Sequence, residues 1–230
     1  MAKQLIYQDL RITAISGRAN GEIAPTFRFY RPICVSPVYV LRQMVEIVKR
    51  KLSQQEAELL VAAIQQTPYI VGYSVREWLA ADRILVAEGG DRSLMGVCFS
   101  YDFSPNWTKI AVLFVRDEFR GRGIGKRLFY RSVKEVAARK KNAYTISANP
   151  IVIEMMEDLG FSLFSSLLRL PENCQSDALL FYRHSLQWLL NPYRIRELLR
   201  KTIVYRSQPP FIFGVINYED SFAISKPRLS

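Results

Sequence analysis

Arg120, Gly121, Arg122, Gly123, Gly125, Lys126 and Arg127 form the stretch of this chain whose residue types and spacing most clearly specify chemistry. Alternating glycines remove Cβ atoms where the chain turns, so several main-chain N–H groups can converge on one anion while basic side chains surround it. Upstream, the apolar run 110–115 reads as a buried strand; downstream, Ile124, Leu128, Phe129, Val133, Val136 and Ala137 recur at helical spacing. The turn therefore meets the positive end of a helix dipole, which is the form of a phosphate cradle.

Spacing decides which cradle it is not. A nucleotide P-loop needs four residues between its first glycine and a Gly-Lys pair, then Ser or Thr; five positions before Gly125 stands Arg120, and Arg127 follows Lys126. A dinucleotide fingerprint needs its third glycine three residues after the second, where this chain has Lys126. The charge is concentrated here too: residues 116–141 hold ten Lys/Arg against three Asp/Glu, out of a formal net charge of +11. A polyanionic cofactor accounts for that excess without a polynucleotide.

Around this turn the chain must build a sheet. Three strand signals, 84–88, 94–103 and 107–115, are joined by Gly89-Gly90-Asp91 and Ser104-Pro105-Asn106, links short enough for an antiparallel meander. After the helix, 143–147 reads as a strand, and Asn149-Pro150 supplies an N-cap and a first-turn proline for a helix that Gly160 ends. Residues 161–170 and 178–184 are read as the last two strands. Before the meander, Val38, Leu41, Val45, Val48 and Leu52 form a helical stripe, Ser53 and Glu56 fit a capping box for a second helix, and 75–81 reads as a short helix. Phe27, Phe29 and Ile33 suggest a strand near the start. Beyond 185, a basic helix opening at Asn191-Pro192 and the apolar run 211–216 read as an extension packed on the domain.

Composition excludes several classes. Hydrophobic residues make up 49% of the chain, which is globular usage. No apolar run reaches the ~18 residues of a membrane span, and the start lacks the apolar core of a signal peptide, so a cytoplasmic protein is expected. Cys34, Cys98 and Cys174 have no metal or redox spacing, so no metal is expected. His184, the only histidine, is read as structural.

The remaining pattern, R-x-x-G-x-G at Arg120, Gly123 and Gly125, resembles the acyl-CoA-binding motif of the GNAT superfamily of N-acetyltransferases, down to its setting F-R-G-R-G-I-G-K-R-L-F. A second segment, N-P-I-V-I-E-M-M-E-D-L-G-F from Asn149 to Phe161, resembles the family's later helix. The resemblance implies an α/β (α+β) fold: a mixed, mostly antiparallel central sheet flanked by helices, with an N-terminal helical pair and a C-terminal extension. Residues 1–185 would form one domain, with the motifs in 75–185, and 186–230 the extension. It further implies acetyl-CoA as co-substrate, its pyrophosphate on the main chain of Arg120, Gly121, Arg122, Gly123, Ile124, Gly125 and Lys126, with Arg122, Lys126 and Arg127 available to outer phosphates. Phe114 and Val115 would pair with the pantetheine arm, and Asn149 would reach it from the other side.

Transfer to an amine needs that amine neutral. A free lysine with pKa near 10.4 is only about 0.04% neutral at pH 7, a handicap of roughly 4.6 kcal/mol. The family's usual tyrosine acid corresponds to Met156, and its usual strand acid to Lys109 or Ala111, so the catalytic residues are unassigned; Tyr101 and Asp102 are the nearest substitutes. The expected partner is an amine acceptor, and the mildly acidic segments 76–115 and 143–185 would tolerate a cationic one. No membrane or nucleic-acid partner is expected, and a homodimer stays open. Two other readings stand beside the enzyme: a CoA-binding sensor without turnover, and a basic adaptor contacting RNA or protein through its tail.

Overall fold

The computed structural model describes residues 45–205 and 210–219. The expected strand at Phe27–Ile33, the Val38 and Leu41 part of the first helical stripe, and Cys34 lie outside them. The rest of that stripe is not helical: β1 (Glu46–Lys49) is an edge strand, antiparallel to β2 (Ile84–Glu88). Its four residues bury only Ile47 and end where Arg50 pairs with Glu56 (2.6 Å) and Glu88 (3.0 Å), so sheet pairing overrides a weak helical pattern.

Helix α1 (Gln54–Gln65) starts at the expected capping box, with the Glu56 N–H donating to Ser53 Oγ and the Ser53 N–H to Glu56 Oε2. Helix α2 (Val75–Ala80) begins with the same device at Ser74 and Glu77. Strands β2, β3 (Leu94–Asp102) and β4 (Trp107–Val115) form the expected meander. Helix α3 (Ile124–Ala138) and strand β5 (Asn142–Ser147) follow, with β5 parallel to β4, and helix α4 (Pro150–Asp158) is capped by Asn149.

From here the order departs from expectation. Only Ser162–Phe164 (β6) of 161–170 is a strand, and 178–184 belongs to a helix, α5 (Ala178–Leu189). Phe181 and His184 are buried at a three-residue spacing while Leu179 and Leu186 are exposed, a helical face that a short, unbroken apolar run conceals. Helix α6 (Pro192–Val204) is the expected tail helix. The run expected in an outer extension becomes β7 (Ile212–Ile216), seated inside the seven-stranded sheet, whose order is β1-β2-β3-β4-β5-β7-β6. A Cβ at Gly214 would lie 2.8 Å from Met156 Sδ, so glycine lets α4 press against β7.

Alternation in the strands fills two layers. Leu85, Ala87, Cys98 and Ile110 pack with the apolar stripe of α3 and with α4; Val86, Val97, Phe99, Val112 and Phe114 pack with α1 and α2. A third cluster, Trp107, Tyr144, Phe164 and Phe181, seats α5. Among the described residues, no helix is long and apolar enough to cross a membrane.

Candidate functional site

The centre of the sheet is opened by an irregular strand. Ile110 pairs with Ser100 and Val112 with Phe99, so Ala111 is an extra residue, a β-bulge. The parallel β4–β5 pairing runs from Trp107 with Asn142 to Ile110 with Thr145 and stops there, closed by Thr145 Oγ1 donating to the Ile110 carbonyl at 3.0 Å. Beyond it, 111–115 has lost its neighbour on one side. The Arg116 N–H donates to the Met95 carbonyl, which sets the phase: main-chain groups of Phe114 and Val112 turn to β3, and those of Leu113 and Val115 turn to the gap. Arg120 Nε, donating to the Val115 carbonyl at 3.2 Å, confirms that direction. Of the two residues expected to pair with a pantetheine arm, Val115 thus faces the gap and Phe114 does not; Leu113 takes its place.

The gap leads outward to the glycine turn. Gly121 (φ +75°) and Gly123 (φ +72°) adopt the left-handed conformation, and a Cβ on either would meet nothing within 4 Å. Backbone conformation demands these glycines, and the space above them is open. Gly123 is the N-cap of α3, and no side chain caps that end, so its first N–H groups face outward. Ile124 is buried and pins the turn to the core. Gly125 differs: its Cβ would make an ordinary 3.6 Å contact with Val115. Arg122 and Lys126 are exposed beside the turn, Lys126 paired with Asp158 of α4 at 2.9 Å, while Arg127 points away and donates to the Val45 carbonyl of the chain entering β1.

Inward, the gap opens into a cavity of about 290 Å³. Lys109 to Leu113 of β4, the end of β5, Phe129, Asn149 and Val152 form one side; Tyr69, Ile70, Val71, Tyr73, Trp188, Leu189, Leu198, Phe211 and Phe213 form the other. Asn149 accepts from the Ile151 N–H through Oδ1 (3.0 Å), which leaves its Nδ2 for the cavity. The far wall hangs on α6. Lys201 Nζ donates to the carbonyls of Ile64 (3.0 Å), Thr67 and Ile70, Arg200 to that of Gln65 (2.8 Å) and Tyr205 to that of Gln66 (2.8 Å). The expected basic tail helix is therefore a clamp: Arg194 and Lys201 are buried, and Arg194 pairs with Glu77.

The suggested acid–base substitutes do not fit. Asp102 is held by Arg83 (2.8 Å), Arg139 (3.0 Å), Lys141 (2.6 Å) and the Thr108 hydroxyl (2.7 Å). Burial opposes its charge, but Lys141, Thr108 and Arg139 outweigh it and keep the carboxyl well below the usual range. Burial pushes the Tyr101 hydroxyl up, and that group is hydrogen-bonded to His184 Nε2 at 2.9 Å. His184 is pushed down to about 4 by burial and by the charges of Lys109 and Arg194, so it is a neutral structural ring. Met156 is fully buried core. Among the described residues, the cavity lining contains no Asp or Glu, contrary to the tolerance for a cation read from segment charges. Its near-neutral titrating group is Lys109, pushed down to about 7 by burial and then by Arg194. A single charged residue in an otherwise apolar strand was the sequence signal for it.

A bulged strand parting from its parallel neighbour beside an uncapped glycine turn is matched by a sequence comparison: residues 44–161 fit the acetyltransferase (GNAT) family. The chain belongs to the GNAT acetyltransferase family. A search of curated proteins found no sequence match. Among solved structures, the fold is similar to N-acetylglutamate synthase from Neisseria gonorrhoeae, complexed with coenzyme A and N-acetylglutamate, at 18% identity and a TM-score of 0.50 over 76% of this chain. The chain spans only 35% of that synthase. It is also similar to Rv2747 from Mycobacterium tuberculosis in complex with CoA and NLQ (13% identity, 75% of this chain and 99% of that one, TM-score 0.50). A third is yncA from Salmonella typhimurium with its cofactor acetyl-CoA (13%, 76% and 95%, TM-score 0.50). At these identities the likeness establishes the GNAT fold. Among the described residues, no group of three His, Cys, Asp or Glu side chains is placed to hold a metal ion.

Proposed function

We propose that this GNAT protein is an acetyl-CoA-dependent N-acetyltransferase. One observation carries the reading: an unpaired main-chain edge at Leu113 and Val115 runs from an open left-handed glycine turn to a cavity of about 290 Å³. The pyrophosphate sits on the N–H groups of 121–126 at the start of α3, with Arg122 and Lys126 alongside. The pantetheine amides extend the sheet at Leu113 and Val115, as a peptide adds to a sheet edge, with Asn149 Nδ2 donating from the other side. The thioester then lies at the mouth of the cavity.

The acceptor nitrogen attacks the thioester carbonyl directly: the C–N bond forms, the C–S bond breaks, and CoA leaves as a thiol after the proton lost by the amine is balanced at sulfur. Main-chain N–H groups at the open edge hold the oxygen as charge develops. Apolar walls favour the neutral amine by desolvation. Met156, buried where the family's tyrosine acid is expected, favours a second reading, a CoA-binding module without turnover. Calorimetric CoA titration together with free-thiol release from acetyl-CoA over an amine panel tests both: thiol release that depends on an amine supports transfer, tight CoA binding with no release supports the module, and no CoA binding refutes both.

A further inference from the structure

The cavity wall holds a buried lysine amine with no carboxylate partner. Lys109 is only 5% exposed, and its Nζ lies 5.0 Å from the ring centroid of Trp188 and 5.7 Å from that of Tyr144. Among the described residues it makes no ion pair, and the carboxylates on neighbouring elements are spent: Glu77 on Arg194 and the α2 cap, Asp102 on Arg83, Arg139 and Lys141. Buried charges are ordinarily paired, and a buried lysine without a partner sheds its proton near neutrality unless an anion arrives to hold it. Lys109 is two residues before the bulged Ala111, on the strand that opens into the cavity, and the remaining lining is aromatic, aliphatic or neutral polar.

We propose that the acyl acceptor is a monoamine bearing a carboxylate on an apolar body, the chemistry of a hydrophobic amino acid, and that Lys109 binds the carboxylate while the amine faces the thioester. This rests on the transferase reading. Lys109 is unchanged by the reaction: acetyl passes from sulfur to the acceptor nitrogen, giving an N-acetyl carboxylate and CoA thiol. A polyamine would bring further cations against Lys109 with no acid to receive them.

The pairing has a proton signature. Around Lys109, Tyr73, Tyr101 and Tyr144 have their hydroxyls pushed up, His184 is neutral and Arg194 is permanently charged, so near neutrality Lys109 alone titrates, about 7 in the free cavity. A carboxylate restores its charge. At pH 8 only about a tenth of free Lys109 carries the proton, so binding a carboxylate that has no amine to titrate, such as the N-acetyl product, takes up most of a proton, whereas a free amino acid that gives up its ammonium proton on binding offsets that uptake.

The test uses the full chain saturated with CoA, titrated calorimetrically at pH 8 in buffers of different ionisation enthalpy with N-acetylated hydrophobic amino acids, and separately with the free hydrophobic proteinogenic amino acids, their methyl esters and spermidine. Acetyl-CoA turnover is followed as free thiol on the same compounds. The expected result is N-acetyl-amino-acid binding with uptake of most of a proton, turnover of the free amino acids at least tenfold above the esters and spermidine, loss of at least 100-fold in Lys109→Met, and partial rescue in Lys109→Arg. Equal or better use of esters or spermidine, no proton uptake with the N-acetylated amino acids, unaltered binding in Lys109→Met, or no response to any carboxylate amine overturns the proposal. A separate CoA titration keeps the two readings distinct, since failure to bind CoA refutes the transferase itself.

Discussion

Gly123→Ala separates what the glycine turn does for folding from what it does for a ligand. Gly123 sits at φ +72° and a Cβ there meets no atom within 4 Å, so the fold itself loses only the cost of a left-handed alanine, about 1–2 kcal/mol. For a chain of this size that lowers Tm by about 2–8 °C. A pyrophosphate on the turn, however, needs the volume the methyl now fills, so CoA affinity falls at least tenfold, about 1.4 kcal/mol. Gly214→Ala inverts the pattern. Its Cβ would meet Met156 Sδ at 2.8 Å, Phe161 at 3.2 Å and Leu163 at 3.3 Å, an overpacking cost of about 1–3 kcal/mol with no direct path to the ligand. Thermal melts and CoA calorimetry on both variants at a temperature where each stays folded provide the comparison. Unchanged CoA affinity in Gly123→Ala, or an equal loss in Gly214→Ala, would refute the cradle.

Three further outcomes follow from the same geometry. The folded chain releases the Lys109 proton near pH 7 and the unfolded chain near pH 10, so unfolding takes up a proton between them and stability rises with pH by up to about 1.4 kcal/mol per unit; Lys109→Met lacks that rise in melts from pH 7 to 9, and parallel curves would contradict a depressed lysine. Asp102, with its carboxyl held low, contributes stability that is present above about pH 4 and lost as pH falls through its folded value, so Asp102→Asn costs about 1–3 kcal/mol in urea denaturation at pH 7 and less at pH 3, while an equal difference at both would speak against the ion-pair account. Asn149→Asp keeps an oxygen for the Ile151 N–H but loses the Nδ2 donor, so Tm holds within about 2 °C while CoA affinity drops; a fall in Tm alone would leave Asn149 a cap and nothing more.

Features written in neighbouring residues were legible in the sequence. The glycine turn, the Ser53 helix start, the Asn149-Pro150 cap and the β2–β3–β4 meander each depend on a few adjacent positions. Features decided by distant partners were not. Residues 178–184 have an apolar run compatible with strand or helix, and only docking of Phe181 against Trp107 and Tyr144 selects the helix. The phase of β4 past the bulge, which turns Leu113 rather than Phe114 to the gap, needs the register against β3. Lys109 reads locally as the absence of an acid; its burial against Trp188 comes from a helix nearly eighty residues later in the chain. The clamp made by the basic tail helix was not legible, because its partners are carbonyl oxygens, which leave no trace in side-chain types.

The position of β7 also bears on how the chain is made. β5 pairs with β4 on one side and β7 on the other, and β6 joins the sheet only through β7. During synthesis β5 therefore keeps a bare hydrogen-bonding edge, and β6 stays a three-residue strand with no sheet to join, until residues 212–216 have emerged. The nascent chain carries that edge through the translation of three helices, a period in which another strand, its own or a neighbour's, can occupy it. Completion of the sheet is thus a late, single insertion event. A stop codon placed before 212 would leave the cradle's local sequence intact and yet release a chain whose central edge remains available for aggregation.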